Sequence, residues 1–451
     1  MTQLFFVALS AVFVGGVVLA GKYAACTQEG KEAPRQWLIY VALTFMLLIR
    51  IALVVTVKGY PADVQTFQAW AIQAAKDLPG FYSSGMFADY PPGYMYVLFL
   101  IGKTKEVLLV GNDSPAFLAL IKMPAILADM VTVLLVYRLT STHRGRRYAL
   151  AVALIYGFNP AIIINSAAWG QVDAVFSLFI ALSVISLTKD WLIRSAILFA
   201  LALLIKPQAL IFSPLFLCAA SERLLPGTFS RNWKKMLISA SAGIAVFIVF
   251  ILPFALKEEP FWIFKHYAAT LASYPYATLN AFNLFALSGG NFKPETDILL
   301  VFSYRAWGAF FIVAATLFAV AVYVKGRREV RMYYMALFLI SAVFVLASKM
   351  HERYLFPALI FALLAFLYSQ DRKMLALFAG YSVTHFMNVA QVLIAGMHGN
   401  HIHPFDPFLI AISALNLLLL GCTVAYGIKI QCQAKVATAL LPSTPIKEPV
   451  S

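Results

Sequence analysis

The sequence predicts an all-α polytopic membrane protein. Of its 451 residues, 62% are hydrophobic and only 12% are charged, and the mean hydropathy is +0.82, whereas soluble domains carry about 25% charged residues. The apolar runs are continuous, as in VALTFMLLIRIALVVTV from Val41, which is typical of spanning helices and not of alternating membrane strands. A soluble globular protein is therefore excluded, and too little contiguous polar sequence remains for a separate soluble domain.

Basic residues between the apolar runs fix the orientation of the predicted helices. The formal net charge is +15, from 35 basic and 20 acidic residues, and in a membrane protein such an excess marks cytoplasmic loops rather than a nucleic-acid surface. The clusters that we place in the cytoplasm are Arg144, Arg146 and Arg147; Arg223, Arg231, Lys234 and Lys235; Lys325, Arg327, Arg328 and Arg331; Arg372 and Lys373; and Lys429 and Lys435.

About 13 crossings satisfy this orientation. Their predicted residues are 4–20, 37–57 and 117–138, four shorter crossings between 148 and 220, and then 236–256, 298–323, 332–347, 353–368, 374–394 and 407–428. The first run, Leu4 to Ala20, lacks the basic region and the cleavage site of a signal peptide. We expect it to be a retained helix, although its removal or inversion leaves the other crossings unchanged.

One apolar run conflicts with the charge pattern. If Pro91 to Val110 crossed the membrane, the basic loop at Arg144 would lie outside. We therefore expect residues 58–115 to form a long first outer loop, with an amphipathic helix near Asp63–Ala75 and a second helix in or against the membrane surface. The domain organisation is then a single transmembrane domain, 1–430, with a second outer loop, 257–297, and a short cytoplasmic tail, 431–451.

The cysteines indicate neither disulfides nor a cysteine metal site. Cys26, Cys218, Cys422 and Cys432 lie far apart in the sequence and outside the predicted outer loops, without a CxxC spacing. No repeat of 20–50 residues and no matching pair of broken helices is visible, which weakly disfavours a transporter.

Polar and ionisable side chains at membrane depth are costly and usually functional, and here they gather at the predicted outer ends of helices. They are Asp63, Asp89 in DYPPGY, Trp169 to Asp173 in WGQVD, Lys206 in KPQ, His351-Glu352-Arg353, and His398, His401 and His403. Polar residues with only structural roles would not sort to one side, so this distribution predicts a site at the outer face.

Two carboxylates lie in the first outer loop. Asp63 follows Pro61 at the start of an amphipathic segment, where it can deprotonate an incoming hydroxyl or hold a divalent cation. Asp89 precedes Tyr90-Pro91-Pro92-Gly93 and can act as a second carboxylate for metal or acceptor binding. For both residues the alternative is an ordinary helix cap.

Two cationic positions suit a phosphate. Lys206 ends an apolar run and precedes Pro207, which breaks the helix; the alternative is a lysine that extends to the interface. Arg353 can offer bidentate hydrogen bonds while Glu352 orients it, and the alternative is a self-contained Glu–Arg pair.

Three further groups have both a functional and a structural interpretation. In WGQVD, Trp169, Gln171 and Asp173 can supply a stacking face and hydrogen bonds to sugar hydroxyls, or they form an interfacial tryptophan with a capping aspartate. The three histidines of HGNHIHP match no fixed zinc spacing, and a polar loop is the favoured interpretation. Lys122 and Asp129 lie two turns apart on one helix face, and we expect them to serve packing.

These motifs, in this order, resemble the GT-C superfamily of integral-membrane glycosyltransferases, and most closely the bacterial group similar to the eukaryotic GPI-anchor mannosyltransferases. The resemblance covers most of the chain and is carried by DVQTFQAWA (Asp63), DYPPGY (Asp89), KMPAILAD (Lys122), WGQVDAVFS (Trp169), KPQAL (Lys206), YPYATLNAFNLF (Tyr274) and HERYLFP (His351). It implies a GT-C-like helix bundle.

The resemblance also implies a reaction. The donor would be a sugar, with mannose expected, on a polyprenyl phosphate that enters from the outer leaflet, and transfer to an acceptor hydroxyl would invert the anomeric carbon. Asp63 matches the expected general base, and Lys206, His351 and Arg353 would bind the leaving phosphate. The residues that would contact the substrates are Asp89, Tyr90, Trp169, Gln171, Asp173, Gln208, Asn280 and Glu352.

The expected partners are the lipid-linked donor, a glycolipid, polysaccharide or protein acceptor, and the bilayer of the plasma (inner) membrane, with the site on the extracytoplasmic side. No nucleotide cofactor is expected, because no GxGxxG follows a strand and no P-loop sequence appears. The sequence leaves open whether a divalent cation, Mg or Mn, is held by Asp63 and Asp89. The competing function is a transporter or flippase of lipid-linked sugars, whose charges should lie at the bilayer midplane; a non-catalytic scaffold is third.

Overall fold

The computed structural model describes residues 2–26, 35–224, 229–326 and 328–439, and it is helical almost throughout. In this part of the chain the helices are α1 Thr2–Cys26, α2 Trp37–Thr56, α3 Pro61–Lys76, α4 Pro92–Val107, α5 Pro115–Arg144, α6 Arg146–Gly157, α7 Pro160–Ile163, α8 Asp173–Thr188, α9 Leu192–Ile205, α10 Ser213–Arg223, α11 Phe229–Ala255, α12 Trp262–Ala272, α13 Leu284–Leu287, α14 Tyr304–Lys325, α15 Arg328–Leu346, α16 Phe356–Ser369, α17 Arg372–Met397 and α18 Pro407–Ala439. Helix α18 thus extends past the predicted start of the tail at residue 431, and residues 440–451 lie outside the described part.

Short irregular elements join these helices. Two 3-10 turns cover Tyr82–Ser84 and Pro207–Phe212, and a π-helical turn, Ile164–Trp169, continues directly from α7. Strand β1 (Thr278–Leu279) pairs in parallel with β4 (Met350–His351), and β2 (Ile298–Leu299) pairs with β3 (Phe302–Ser303) in an antiparallel hairpin.

The apolar helices confirm the multi-pass fold class. Within the described residues, α1, α2, α5, α11, α14, α17 and α18 are long and apolar enough to cross a membrane, which makes seven. Helix α6 with α7 and the π turn is bent by 48° and makes an eighth if the pair is one span. Helices α8, α9, α15 and α16 are apolar but shorter. The count of 13 depends on these shorter helices and on α10, and it stays a prediction.

The predicted start of helix α14 lies several residues before the observed one. The apolar run from Ile298 predicts a helix over 298–323, but α14 begins at Tyr304. Residues 298–303 form the β2–β3 hairpin instead, and the hydroxyl of Ser303 caps α14 by accepting the N–H of Ala306. Residues 298–303 therefore belong to the segment that precedes α14 rather than to the helix.

The basic loops converge at one end of the bundle. Arg331 Nη2 lies 2.6 Å from Glu222 Oε1, and Lys429 Nζ lies 3.0 Å from Asp371 Oδ2, so the ends of α10, α15, α17 and α18 meet there. Helices α8, α9 and α16 connect this end of the bundle to the other one, which carries the start of α8 at Asp173, the end of α9 and the start of α16. The basic loops and the polar motifs therefore occupy opposite ends of the bundle.

The first outer loop contains the two predicted helices. Helix α3 buries Phe67 and Trp70, which confirms the amphipathic helix near Asp63–Ala75. Helix α4 packs along α3, and Gly102 allows a very close approach: a Cβ there would lie 2.2 Å from the carbonyl oxygen of Ala71. This contact fixes the position of α3, which carries Asp63.

Replacing Gly102 with Ala tests this packing. The added methyl group would meet backbone, which side-chain rotation cannot relieve, so we expect the free energy of unfolding in detergent to fall by about 1–3 kcal/mol. The matched control is Gly15→Ala in α1, where no heavy atom lies within 4 Å of the new Cβ; this variant should be neutral or more stable by up to about 1 kcal/mol. Equal effects of the two substitutions would contradict the close approach of α3 and α4.

Candidate active site

Asp63 lies in the first turn of α3, with its carboxylate bound from outside the helix. Its Oδ2 accepts the indole N–H of Trp169 at 2.7 Å and the side-chain amide of Gln171 at 2.5 Å. The alternative of a helix cap is wrong, because the N-cap residue is Tyr60 and the carboxylate bonds to no backbone N–H of α3. Among the described residues Asp63 Oδ1 has no hydrogen-bond partner, so this oxygen is available to a ligand.

The π turn presents the two donors to Asp63. Gly170 leaves this turn with φ +91°, a conformation that favours glycine, and so directs Gln171 back toward α3. Trp169 is only 2% exposed, and its ring stacks on Tyr60 with centroids 5.4 Å apart. The indole is therefore covered rather than open to a sugar ring, and Trp169 and Gln171 position Asp63, an arrangement that neither sequence interpretation of WGQVD contained.

Lys206 forms a buried ion pair at the end of α9. Pro207 ends the helix there, as the sequence predicts, and Lys206 Nζ lies 2.7 Å from Asp173 Oδ1. The ammonium is also 5.4 Å from the ring centre of Tyr90 and 5.8 Å from that of Tyr354, which are favourable cation–π positions. Lys206 is 3% exposed, so it does not extend to the interface. Asp173 Oδ2 is buried without a hydrogen-bond partner.

His351, Glu352 and Arg353 form the link between α15 and α16, held by the pairing of β4 with β1. Arg353 Nη1 donates to Glu352 Oε1 at 2.7 Å, but its Nε is buried without a partner, so the Glu–Arg pair is not self-contained. Burial, Arg353 and Lys206 hold the pKa of His351 well below its usual range. At neutral pH its imidazole is therefore uncharged and can reach an anion only as a hydrogen-bond donor.

Asp89 faces the same cluster from the segment before α4. Tyr274 donates its hydroxyl to Asp89 Oδ2 at 3.1 Å, and the N-cap of α4 is Pro91; the capping alternative for Asp89 is therefore wrong. Burial raises the pKa of Asp89, while the Tyr274 hydrogen bond and the charge of Arg353 partly lower it.

Electrostatic interactions connect these groups. Arg353 is stabilised in its charged form by Glu352 and Asp63, and Lys206 and Arg353 both act on Asp89. Burial raises the pKa of Glu352, and the charge of Arg353 opposes that shift. Residues from the segment 58–115, from the end of α9 and from the α15–α16 link therefore form one cluster.

Asn280 has hydrogen-bond partners within the protein, whereas the side-chain amide nitrogen of Gln208 has none in the described residues. Asn280 has φ +56°, its amide N–H donates to Asn291 Oδ1 at 2.8 Å, and its carbonyl accepts from Asn388 at 2.7 Å. These contacts stabilise the loop and leave Asn280 with local partners. Gln208 Nε2, in contrast, is buried without a partner.

Several residues of the cluster are absent from the predicted site residues. Tyr60, Tyr274 and Tyr354 contact predicted site residues, and Asn291 and Asn388 hold the Asn280 loop. The sequence signal for the tyrosines is limited: Tyr274 and Tyr354 lie within quoted motifs, and Tyr60 lies three residues before Asp63.

The histidine loop does not converge on a metal site. His398 Nδ1 lies 2.8 Å from the carbonyl of Ile394, His403 Nδ1 accepts the N–H of Phe405, and His401 packs against Phe292. In the described ranges, no three His, Cys, Asp or Glu side chains are grouped as a metal site requires. Asp63 and Asp89 therefore have no third protein ligand of these types in that part of the chain.

Lys122 and Asp129 lie inside the bundle with protein partners. Lys122 binds three backbone carbonyls. Asp129 Oδ2 accepts a hydrogen bond from Ser166 Oγ and lies 3.3 Å from Nε of Arg50. Nη2 of the same arginine donates to the carbonyl of Gly157 at 2.9 Å. The structure agrees with the packing role expected for both residues.

One comparison with known families gives a match. A model described as the ALG6, ALG8 glycosyltransferase family matches residues 84–266, a segment that contains Asp89, Trp169, Gln171, Asp173 and Lys206 but not Asp63 or Arg353. No curated protein matches the chain. The family match agrees with the resemblance to GT-C membrane glycosyltransferases and supports glycosyltransferase activity, with a sugar donor and an acceptor, in a multi-pass membrane protein.

Substituting Lys206 tests whether the Lys206–Asp173 ion pair is buried, because an unpaired buried charge lowers the free energy of unfolding. We expect Lys206→Met to lower the free energy of unfolding by about 3–5 kcal/mol, because Asp173 is left buried without a counter-charge, and Lys206→Met/Asp173→Leu to recover much of that loss. The control is Lys103→Met, which breaks the exposed Lys103–Glu106 pair and should cost about 0–1 kcal/mol. Chemical denaturation in detergent measures all three, and equal losses for Lys206→Met and Lys103→Met would contradict a buried pair.

Proposed function

We propose that this protein is an inverting glycosyltransferase that moves a sugar, with mannose expected, from a polyprenyl phosphate to an extracytoplasmic acceptor hydroxyl. The site would lie on the outer side of the plasma (inner) membrane, and the acceptor would be a glycolipid, a polysaccharide or a protein. The observation that carries the proposal is a carboxylate with one free oxygen, Asp63, in the same electrostatic cluster as the cations Arg353 and Lys206.

Asp63 suits a general base. The hydrogen bonds from Trp169 and Gln171 fix its Oδ2 and leave Oδ1 to take a proton from the acceptor hydroxyl. That hydroxyl oxygen would then form a bond to the anomeric carbon while the bond from this carbon to the phosphate oxygen breaks. The proton ends on Asp63, and the polyprenyl phosphate leaves with the bonding electron pair. Attack opposite the leaving group inverts the anomeric carbon.

The cations suit the leaving phosphate. Negative charge grows on the phosphate as the bond breaks, and fixed positive groups in a dry site stabilise such charge most strongly. Arg353 has an unpartnered Nε, Lys206 is held between two aromatic rings, and the neutral His351 can add a hydrogen bond. Asp89 and Glu352 would then contact sugar or acceptor hydroxyls as hydrogen-bond acceptors.

The flippase alternative has less support. A flippase should hold its polar side chains at the midplane in reach of both sides, but Lys122, Asp129 and Arg50 are buried and bonded to protein groups. Transbilayer movement of a lipid-linked sugar without bond cleavage would favour it.

A panel of donors tests the reaction. Purified protein in lipid would be given polyprenyl-phosphate hexoses and pentoses, with and without Mg²⁺ or Mn²⁺, and sugar release would be measured, because slow hydrolysis reveals the donor without the acceptor. We expect one sugar to turn over, and Asp63→Asn to slow that turnover by about 10²–10⁴-fold through loss of the base while donor binding persists. Asp113→Asn, at an exposed carboxylate of the same loop, is the control. Full activity of Asp63→Asn would refute the assignment.

The pH dependence of turnover tests Asp89. Because burial raises the pKa of Asp89, its carboxylate should be lost at a higher pH than an ordinary aspartate as the pH falls, and activity should fall with it. Tyr274→Phe removes a hydrogen bond that favours the charged carboxylate, so the acid limb of kcat/KM should move to still higher pH. Tyr276→Phe is the control, and an acid limb that is the same in all three proteins would exclude Asp89 as its source.

A further inference from the structure

Lys122 is a buried cation whose ammonium group is hydrogen-bonded, among the described residues, only to backbone carbonyls. Its side chain is fully buried in α5, and its Nζ donates to the carbonyls of Val57 at 2.7 Å, Ala168 at 2.7 Å and Ala167 at 3.1 Å. In the described part of the chain it forms no ion pair. Three carbonyls from two distant segments therefore meet at one ammonium group.

These carbonyls belong to the ends of two helical segments. Val57 is the C-cap of α2, and Ala167 and Ala168 lie in the last turn of the π-helical segment. The last carbonyls of a helix lack donors within the helix and carry partial negative charge. The ammonium of Lys122 satisfies both C-termini at once, in a region where no other donor to these oxygens is described.

Two glycines bring the segments together at this point. Gly59 has φ +93°, and a Cβ there would lie 2.7 Å from the carbonyl oxygen of Trp169. Gly170 has φ +91°, and its Cβ would lie 2.7 Å from Cγ of Lys122. The chain after α2 therefore crosses the end of the π turn backbone to backbone, beside the lysine.

Each segment then leads into the site. The chain after Gly59 carries Tyr60 and Asp63, and the π turn carries Trp169, with Gln171 two residues later. Across this junction, Tyr60 stacks on Trp169, and Trp169 and Gln171 donate to Asp63. Ser166, in the same π turn, also donates to Asp129 two turns along α5, which gives the turn a second attachment to that helix.

We propose that Lys122 is a positioning residue for Asp63, which rests on the proposed role of Asp63 as the base. Its ammonium joins the C-terminus of α2 to the π turn, and this junction fixes the separation between Asp63 and its donors Trp169 and Gln171. Lys122 acts through these two segments and does not touch the substrate.

The main experiment compares Lys122→Met, which keeps the length of the side chain but removes its charge, with Lys122→Arg and with Lys103→Met at an exposed lysine. With the turned-over donor, Lys122→Met should lower kcat by about 10²-fold, the typical loss from a small misplacement of catalytic groups, and change the Kd of the donor by less than about threefold. Lys122→Arg should recover part of kcat, and Lys103→Met should have wild-type kcat.

Amide hydrogen exchange gives a readout that does not depend on activity. In Lys122→Met, residues 58–64 and 167–171 should exchange faster than in wild type, while α15 and α16 are unchanged. Gly170→Ala provides a second route if Lys122→Met does not fold, because the new methyl group displaces the lysine stem; it should show the same loss of kcat and the same local exchange.

The possible outcomes are distinct. Lower kcat with an unchanged Kd and faster exchange confined to the two segments supports the proposal. Wild-type kcat and exchange in Lys122→Met, or faster exchange throughout the bundle, overturns it, since Lys122 would then be dispensable or only structural. If wild type turns over no donor, the proposed function fails, whereas the exchange comparison still decides whether Lys122 joins the two segments.

Discussion

An apolar bundle offers no water to a polar group, so each polar side chain or helix end within it must find its partner in the protein. Arg50 bonds to Asp129 Oδ2 and to a carbonyl, and Ser166 donates to the same Oδ2. Lys122 binds three helix-end carbonyls, while Asp129 Oδ1 has no partner among the described residues. Buried polar atoms without a partner in the described part of the chain also occur in the cluster around Asp63, where a ligand can supply the missing hydrogen bond. Arg353 Nε and Asp173 Oδ2 are two such atoms, and both belong to the cluster around Asp63.

The cluster balances opposite requirements on its charges. A base must keep its carboxylate ionised, and a leaving phosphate needs positive charge, yet cations that are too well paired bind no further anion. Arg353 is paired through Nη1 but not through Nε, so its guanidinium keeps a donor for a phosphate. The charge of Arg353 also acts on Asp63 and Asp89. One guanidinium therefore lies within electrostatic reach of the proposed base and keeps a donor for the leaving group.

Sequence reasoning found what depends on local pattern. The segment PADVQTFQAW predicted α3, and Pro207 predicted the break that places Lys206 at a helix end. It could not find contacts between distant segments, such as those of Asp63 with Trp169 and Gln171, more than 100 residues away, because periodicity says nothing about which helix ends meet. The β2–β3 hairpin was missed for a related reason: Ile298 to Phe302 is as apolar as a helix, and only backbone pairing distinguishes the two.

Two lysines show how the partner, rather than the residue type, decides the role. Lys122 and Lys206 are both buried, and each lies where the backbone of a helix ends. Lys122 binds only backbone carbonyls, whose positions are set by the main chain. Its hydrogen bonds therefore remain in place when a ligand binds. Lys206 binds one carboxylate oxygen between two aromatic faces, and a phosphate can share its remaining donors. The first lysine therefore suits the framework around Asp63, and the second suits the anion that leaves.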